Sequence, residues 1–224
     1  MGEKQISTLV EDINELLVNG LKEIPDKILI DFKESLFSTT IKALTDRDKE
    51  PTLRMSNIGK PCERQLWYEL NTPNEGEKLR AEMFMKFTTG HVLEELLLFL
   101  ADRSGHIVTG RQDELEISGI KGHRDCIIDG MLIDCKSAST YSYKKFKEGL
   151  KPETDSFGYL GQLRSYAYSG RDDPLVTIKN KAGFLVIDKT LGHICLDIHE
   201  FDFTGIEEEY ERKKTLVASE VIPD

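Results

Sequence analysis

Residues 122–136 have the sequence GHRDCIIDGMLIDCK, in which two short apolar runs flank the dipeptide Asp129-Gly130. Asp-Gly tolerates the positive backbone angles of a two-residue hairpin turn, so the stretch predicts two antiparallel strands. Asp125 lies four residues before Asp129 and Asp134 lies four after Gly130, so the hairpin can place the two acids opposite each other. Side chains alternate along a strand, which puts Asp134 and Lys136 on one face. The segment therefore predicts two carboxylates and an ammonium at one spot.

A surface ion pair is the ordinary interpretation of a lone Asp-x-Lys. Here Leu132 and Ile133 indicate an apolar, central strand, where charged side chains are costly unless they are paired or bind an ion. Both interpretations stay open on these residues alone.

Length and composition limit the classes of protein. The 224 residues suffice for one domain, or one domain with an accessory lobe. The net charge of −10 argues against nonspecific coating of nucleic acid, but it does not exclude an enzyme that acts on nucleic acid. The four cysteines form no C-x-x-C pair, so we expect free thiols. No apolar run approaches the roughly 18 residues of a membrane span, and no secretory signal is visible, so we expect a cytoplasmic protein without a membrane partner.

The hydrophobic period is helical up to about residue 105 and extended after it, and the helical pattern is broken at 46–51. We predict an N-terminal helical lobe over residues 1–52, with helices near 9–21 and 28–44 and a break at 46–51, and a second domain over 53–224. Further helices are expected at 61–70, 78–102, 154–168 and 206–217, and strands at 115–120, 123–128, 131–137, 183–188 and 193–199. This order of elements indicates an α/β fold in which a central mixed β-sheet is flanked by helices.

Two helices carry further candidates. His91 is followed at helical spacing by Glu94 and Glu95, an arrangement compatible with a metal ligand, although a lone helical His is more often a packing or surface residue. Gln162 and Tyr166 are four residues apart and project side by side, although both could also serve only in packing.

The ordered set His91, Asp125, Asp134-Cys135-Lys136 and Gln162-x-x-x-Tyr166 resembles the PD-(D/E)XK nuclease superfamily, specifically its RecB-like exonuclease branch, which includes phage exonucleases and CRISPR adaptation nucleases. Residues 56–68 are similar to the Ser, Cys, Arg, Tyr signature that precedes the His in that branch. Arg124 stands where the strict motif has Pro, whereas Gly122 and Asp125 fit the Gly-x-x-Asp form of the branch. The resemblance implies a restriction-endonuclease-like core.

The resemblance also implies roles for individual residues. The catalytic set would be Lys136, Asp134, Asp125, Gln162 and Tyr166. Mg²⁺ or Mn²⁺ would be held by His91, Asp125, Asp134 and the main-chain carbonyl of Cys135, with Glu95 or Glu94 acting beside them or on a second metal. Candidates for contacts to nucleic acid are Ser56, Arg64, Tyr68, Lys144, Lys145 and Lys147; the lysines interleave with Tyr141 and Tyr143 but could equally form a solvated edge. Because Cys195 is isolated, we expect no iron-sulfur cluster, which needs four thiolates.

The implied function is a metal-dependent DNA exonuclease that acts on linear DNA with ends, in recombination, repair or end processing, in a bacterial or phage-infected cell. A homo-oligomer or a recombination partner protein is compatible with it. Two alternatives remain: a noncatalytic nucleic-acid-binding subunit with the same fold, and a sequence-specific endonuclease.

Overall fold

The computed structural model describes residues 4–45, 51–73, 75–76 and 79–223. Within them the helices are α1 (Leu9–Asn19), α2 (Asp26–Thr45), α3 (Met55–Ile58), α4 (Glu63–Asn71), α5 (Ala81–Arg103), α6 (Thr140–Lys147), α7 (Tyr159–Ser169) and α8 (Ile206–Ala218). The strands are β1 (Val108–Thr109), β2 (Glu114–Ile117), β3 (Ile120–His123), β4 (Cys126–Ile128), β5 (Met131–Ala138), β6 (Lys181–Asp188) and β7 (Ile194–Glu200). No described helix is long and apolar enough to cross a bilayer.

A five-stranded sheet forms the centre of the fold, in the order β1-β4-β5-β6-β7. Strands β4 and β5 pair antiparallel, with Cys126 opposite Ile133, whereas β5 and β6 run parallel and β6 and β7 antiparallel. The sheet is therefore mixed, and the predicted α/β fold class is confirmed. Strands β2 and β3 form a separate two-stranded sheet.

The turn between β4 and β5 has the predicted form. Asp129 has φ +49° and Gly130 has φ +78°, the positive angles of a tight hairpin turn. A Cβ at Gly130 would lie 2.0 Å from Thr177 Oγ1, so the close approach of this loop also requires glycine. The hairpin prediction is confirmed.

Apolar clusters cover both faces of the sheet. Ile133 and Cys135 of β5 face the cluster formed with α1 and α5, whereas Leu132 faces the cluster formed with α6 and α7. Because side chains alternate along β5, Asp134 and Lys136 share the Leu132 face and lie toward α7. This packing places the two charged side chains between the sheet and α7.

Several local predictions differ from the structure. The strand predicted at 123–128 is interrupted at residues 124–125, so that β3 and β4 belong to different sheets. Helix α7 begins at Tyr159 instead of 154, because Asp155 accepts the N–H groups of Gly158, Tyr159 and Leu160 and fixes the chain before the first turn. The sequence patterns predicted neither α6 nor β1. Apart from Pro51, the break predicted at 46–51 lies outside the described residues.

The N-terminal helices pack against the rest of the chain. Leu9 and Ile13 of α1 are fully buried in the same cluster as Leu97 and Leu98 of α5, and Phe32 of α2 stacks on Phe99, with the ring centroids 4.2 Å apart. The boundary at residue 52 stays a prediction.

Candidate active site

Asp125, immediately before β4, lies beside Asp134 on β5. Cys126 pairs with Ile133, so Asp125 and Asp134 are the next residues along the two strands. Asp125 Oδ2 accepts a hydrogen bond of 2.7 Å from the main-chain N–H of Cys135. Asp134 is buried, with 1% of its surface exposed.

Lys136 completes the cluster. Its ammonium forms an ion pair with Asp134 Oδ2 and lies 4.9 Å from the ring centroid of Tyr159. The side chain of Lys136 is 18% exposed, compared with 2% for Asp134. The lysine therefore lies where the buried Asp134 meets solvent.

Helix α7 supplies two polar side chains from the opposite side. Gln162 Nε2 donates to Asp134 Oδ1 and to the Tyr166 hydroxyl, both at 3.3 Å, and Lys136 Nζ donates to Gln162 Oε1 at 3.5 Å. Both α7 residues are buried, at 8% and 3% exposure. Gln162 is therefore the link between the helix and the charged groups on β5.

Gly122 permits this close packing. A Cβ at this position would lie 2.7 Å from the Tyr166 ring and 2.8 Å from Met55 Cβ. Glycine is thus required by the approach of β3 to α7, three residues before Asp125.

Burial and like charge shift the pKa values of the cluster. Burial, then the charges of Asp134 and Glu94, raise the pKa of Asp125 well above its usual range. Burial likewise raises the pKa of Asp134, although Lys136 opposes this shift. Burial alone would lower the pKa of Lys136, but the two aspartates outweigh it and the net direction is upward. The site stabilises a cationic lysine and needs further positive charge to hold both carboxylates ionised.

The acids predicted on α5 are placed differently from one another. Glu94 is close enough to contribute to the raised pKa of both aspartates, and its Oε1 accepts a hydrogen bond of 2.7 Å from Gln112 Nε2. Glu95 is buried on the α2 side, where it pairs with Arg111 and accepts from Ser35 Oγ at 2.7 Å. Of the two, Glu94 acts on the aspartates through its charge, whereas Glu95 serves the packing of α5 against α2.

The structure does not bring His91 into the acid cluster. Its side chain is 54% exposed, and its ring Nδ1 lies 3.9 Å from Glu94 Oε2. His91 thus reaches the site only through Glu94, one helical turn along α5, and its role as a metal ligand stays a prediction.

The residues proposed for nucleic-acid contacts lie in two regions. The first region is formed by α3 and α4, where Ser56 is exposed and Tyr68 is 42% exposed. In the same region Arg64 Nε donates a hydrogen bond of 2.8 Å to the carbonyl of Pro223. Helix α6 carries Lys144, Lys145 and Lys147; Lys145 is on the side of Lys136, whereas Lys147 borders a separate cavity of about 580 Å³ against α1 and β7.

Arg124 has a structural role that sequence reasoning missed. Its side chain is 2% exposed and contacts Asp113 Oδ2 at 2.5 Å, Asp173 Oδ2 at 2.6 Å and the carbonyl of Gly110 at 2.9 Å. This arginine joins the β1–β2 loop and the α7–β6 loop to the segment immediately before Asp125. The sequence offered one signal for this role: Arg124 stands next to a candidate metal ligand, where the strict motif has Pro.

The donor set fits a hard divalent cation, which prefers oxygen ligands. Asp134 Oδ2 is buried and forms an ion pair with Lys136. Among the described residues, no group donates a hydrogen bond of regular geometry to this oxygen. Asp125, Asp134 and the carbonyl of Cys135 supply oxygens from adjacent positions. In the described part of the chain no three His, Cys, Asp or Glu side chains converge closely enough to form a ligand group by themselves, so water and substrate oxygens would complete the coordination.

Comparison with solved structures identifies the fold. The chain is similar to an alkaline exonuclease from Laribacter hongkongensis, with a TM-score of 0.52 and 18% identity over 75% of this chain and 87% of that one. A second structure of that enzyme, LHK-Exo in complex with dAMP, is also similar, with a TM-score of 0.51 and 19% identity over the same shares of the two chains. No protein-family model matches the chain, and no curated protein sequence matches it. The chain has an exonuclease-like fold, which confirms the fold implied by the PD-(D/E)XK resemblance.

Proposed function

We propose that the protein is a metal-dependent DNA exonuclease that hydrolyses phosphodiester bonds at the ends of linear DNA. The observation that carries the proposal is the convergence of Asp125, Asp134, Lys136 and Gln162 between the middle strand β5 and helix α7. The fold shared with an alkaline exonuclease supports it, and the dAMP bound by that neighbour supports a deoxynucleotide substrate.

The acids would hold the cation. Asp125, Asp134 and the carbonyl of Cys135 offer oxygen ligands, and Glu94 adds negative charge beside them. When bound, a divalent cation polarises a nonbridging phosphate oxygen and lowers the pKa of coordinated water toward neutrality. Its charge would also offset the burial and the negative charges of Asp134 and Glu94 that raise the pKa of Asp125, and the burial that raises the pKa of Asp134.

Lys136 provides the charge that acts on the reacting phosphate. The neighbouring carboxylates keep its ammonium protonated, so it can donate a hydrogen bond to the attacking water or to the oxygens that gain negative charge in the transition state. Gln162 holds Lys136 and Asp134 in one arrangement, and Tyr166 fixes the Gln162 amide. The two α7 residues therefore position the reactive groups.

The biological setting follows from the substrate. Digestion from DNA ends suits recombination, repair or end processing in the cytoplasm of a bacterium or a phage-infected host, and a processive enzyme of this kind could act as a homo-oligomer or with a recombination partner.

The test is digestion of end-labelled linear DNA and of covalently closed circular DNA with Mg²⁺ or Mn²⁺. We expect the linear DNA to be degraded to nucleotides and the circle to stay intact. Lys136→Met should lower the rate by about 10²-fold or more, since it removes a charge that stabilises the transition state, whereas Lys27→Met, at an 88% exposed side chain on α2, should not. Cleavage of the circle would indicate an endonuclease, and absence of all cleavage would indicate a noncatalytic subunit.

A further inference from the structure

A cavity of about 200 Å³ opens beside Lys136, between the end of β5, helix α6 and the loop that precedes α7. It is smaller than the roughly 300–1,000 Å³ of typical ligand pockets. The residues that matter to its chemistry are Lys136, Lys145, Asp155, Phe157, Tyr159 and Lys189.

The charge of the cavity suits a phosphate group. Three lysines line it, and the carboxylate of Asp155 is occupied by the main-chain N–H groups at the start of α7, at 2.8–3.0 Å. Lys145 Nζ donates to the carbonyl of Thr154 at 3.0 Å, which holds the ammonium at the cavity wall. In a chain with a net charge of −10, this is a local concentration of positive charge next to the proposed catalytic lysine.

An aromatic pair forms another wall of the cavity. Phe157 stacks on Tyr159 with the ring centroids 5.3 Å apart and the planes at 24°, and Tyr159 in turn packs against the Lys136 ammonium. Phe157 is nevertheless 63% exposed. A large apolar ring that one neighbour holds in place and that leaves a face open to solvent is a platform on which a base can stack.

We propose that this cavity binds one unpaired nucleotide of the DNA strand next to the scissile phosphate. The base stacks on Phe157, and the phosphate of that nucleotide lies against Lys145 and Lys189. The volume admits a single base and not a base pair, so the enzyme holds the strand end unpaired at this position. The inference rests on the proposed nuclease function and adds a requirement for local strand separation.

The test uses binding without turnover. Ca²⁺ replaces Mg²⁺, and fluorescence anisotropy follows a fluorescein-labelled duplex with a three-nucleotide unpaired end and the same duplex with a flush end. Wild type should bind the unpaired end at least about 5-fold more tightly than the flush end, and Phe157→Ala should weaken binding of the unpaired end by about 5- to 100-fold. Phe157→Trp should stay within about 3-fold of wild type, because it keeps the stacking surface.

Matched variants separate the contributions. Phe37→Ala removes a 68% exposed Phe from α2 and should leave binding unchanged. Lys145→Ala should weaken binding of all strands and lower the salt slope by about one. Equal affinity of wild type for flush and unpaired ends, or equal binding by the Phe157→Ala and Phe37→Ala variants, would overturn the proposal while leaving the nuclease function intact if wild type still degrades linear DNA. A wild type that neither binds nor cleaves DNA would overturn both.

Discussion

The main-chain N–H of Cys135 donates a 2.7 Å hydrogen bond to the carboxylate of Asp125. Since Cys135 lies between Asp134 and Lys136, this bond ties the first acid to the strand that carries the other two charged groups. The backbone therefore fixes the relative positions of Asp125, Asp134 and Lys136 independently of any bound ion.

The amide of Gln162 is expected to act through Lys136 and Asp134. Gln162→Met keeps the volume of the side chain but removes its hydrogen bonds to both groups, so kcat for DNA degradation should fall about 10- to 100-fold with little change in KM. Gln65→Met, on exposed α4, is the matched control. A variant that changes KM alone would show that Gln162 serves substrate binding instead.

The stability of the metal-free protein should depend on the ionisation of Asp125. Burial raises the pKa of Asp125 in the folded state above its value in the unfolded state. The free energy of unfolding is therefore highest below the ordinary pKa near 4, and it falls as the pH rises through the raised pKa. Each unit of the difference costs about 1.4 kcal/mol. Asp125→Asn removes this cost, so between pH 4 and pH 8 in EDTA its Tm should rise relative to wild type. The control Asp172→Asn, at an 89% exposed side chain, should keep the same difference in Tm from wild type at every pH. The same behaviour in Asp125→Asn would contradict the prediction.

Arg124 should contribute to the stability of the loops around the site. Arg124→Met leaves Asp113 and Asp173 without their shared cation. We expect the free energy of unfolding to fall by about 2–3 kcal/mol. This is less than the cost of breaking a fully buried ion pair, because Asp113 is half exposed. Denaturant unfolding measures it. Arg80→Met, at a 79% exposed side chain, should change it by less than about 0.5 kcal/mol. In an Asp173→Asn background the cost of Arg124→Met should shrink; a cost that stays the same would argue against the ion pair.

His106 should anchor α1 to the hairpin turn. Its buried ring contacts Asp129 Oδ2 at 2.6 Å and Asp12 Oδ2 at 3.1 Å. His106→Leu removes both contacts and should lower the free energy of unfolding by about 1–3 kcal/mol, whereas His123→Leu, on the exposed side of β3, should have little effect. Because His106 lies outside the acid cluster, DNA degradation below the Tm should persist. A variant as stable as wild type would show that the buried contacts contribute nothing.

Local sequence patterns were sufficient for the hairpin and the pairing of charges on β5. Asp129-Gly130 determines the turn, and alternation along β5 determines that Asp134 and Lys136 lie together. The spacing of Gln162 and Tyr166 was enough to place both on one face of α7.

Long-range packing decided what the sequence could not predict. Between β3 and β4 the guanidinium of Arg124 pairs with Asp113 and with Asp173, contacts that no local pattern indicates. On α5, helical spacing groups Glu94 with Glu95, yet packing against α2 buries Glu95 away from the acids.

We propose that Asp125 and Asp134 together hold a divalent cation. Calorimetric titration of Mn²⁺ into the metal-free protein tests it directly, with Asp125→Asn and Asp172→Asn measured in parallel. We predict saturable binding by wild type and by Asp172→Asn, and loss of at least 10-fold in affinity in Asp125→Asn. Equal Mn²⁺ binding by all three proteins, or no binding by wild type, would show that the two aspartates do not form a metal site.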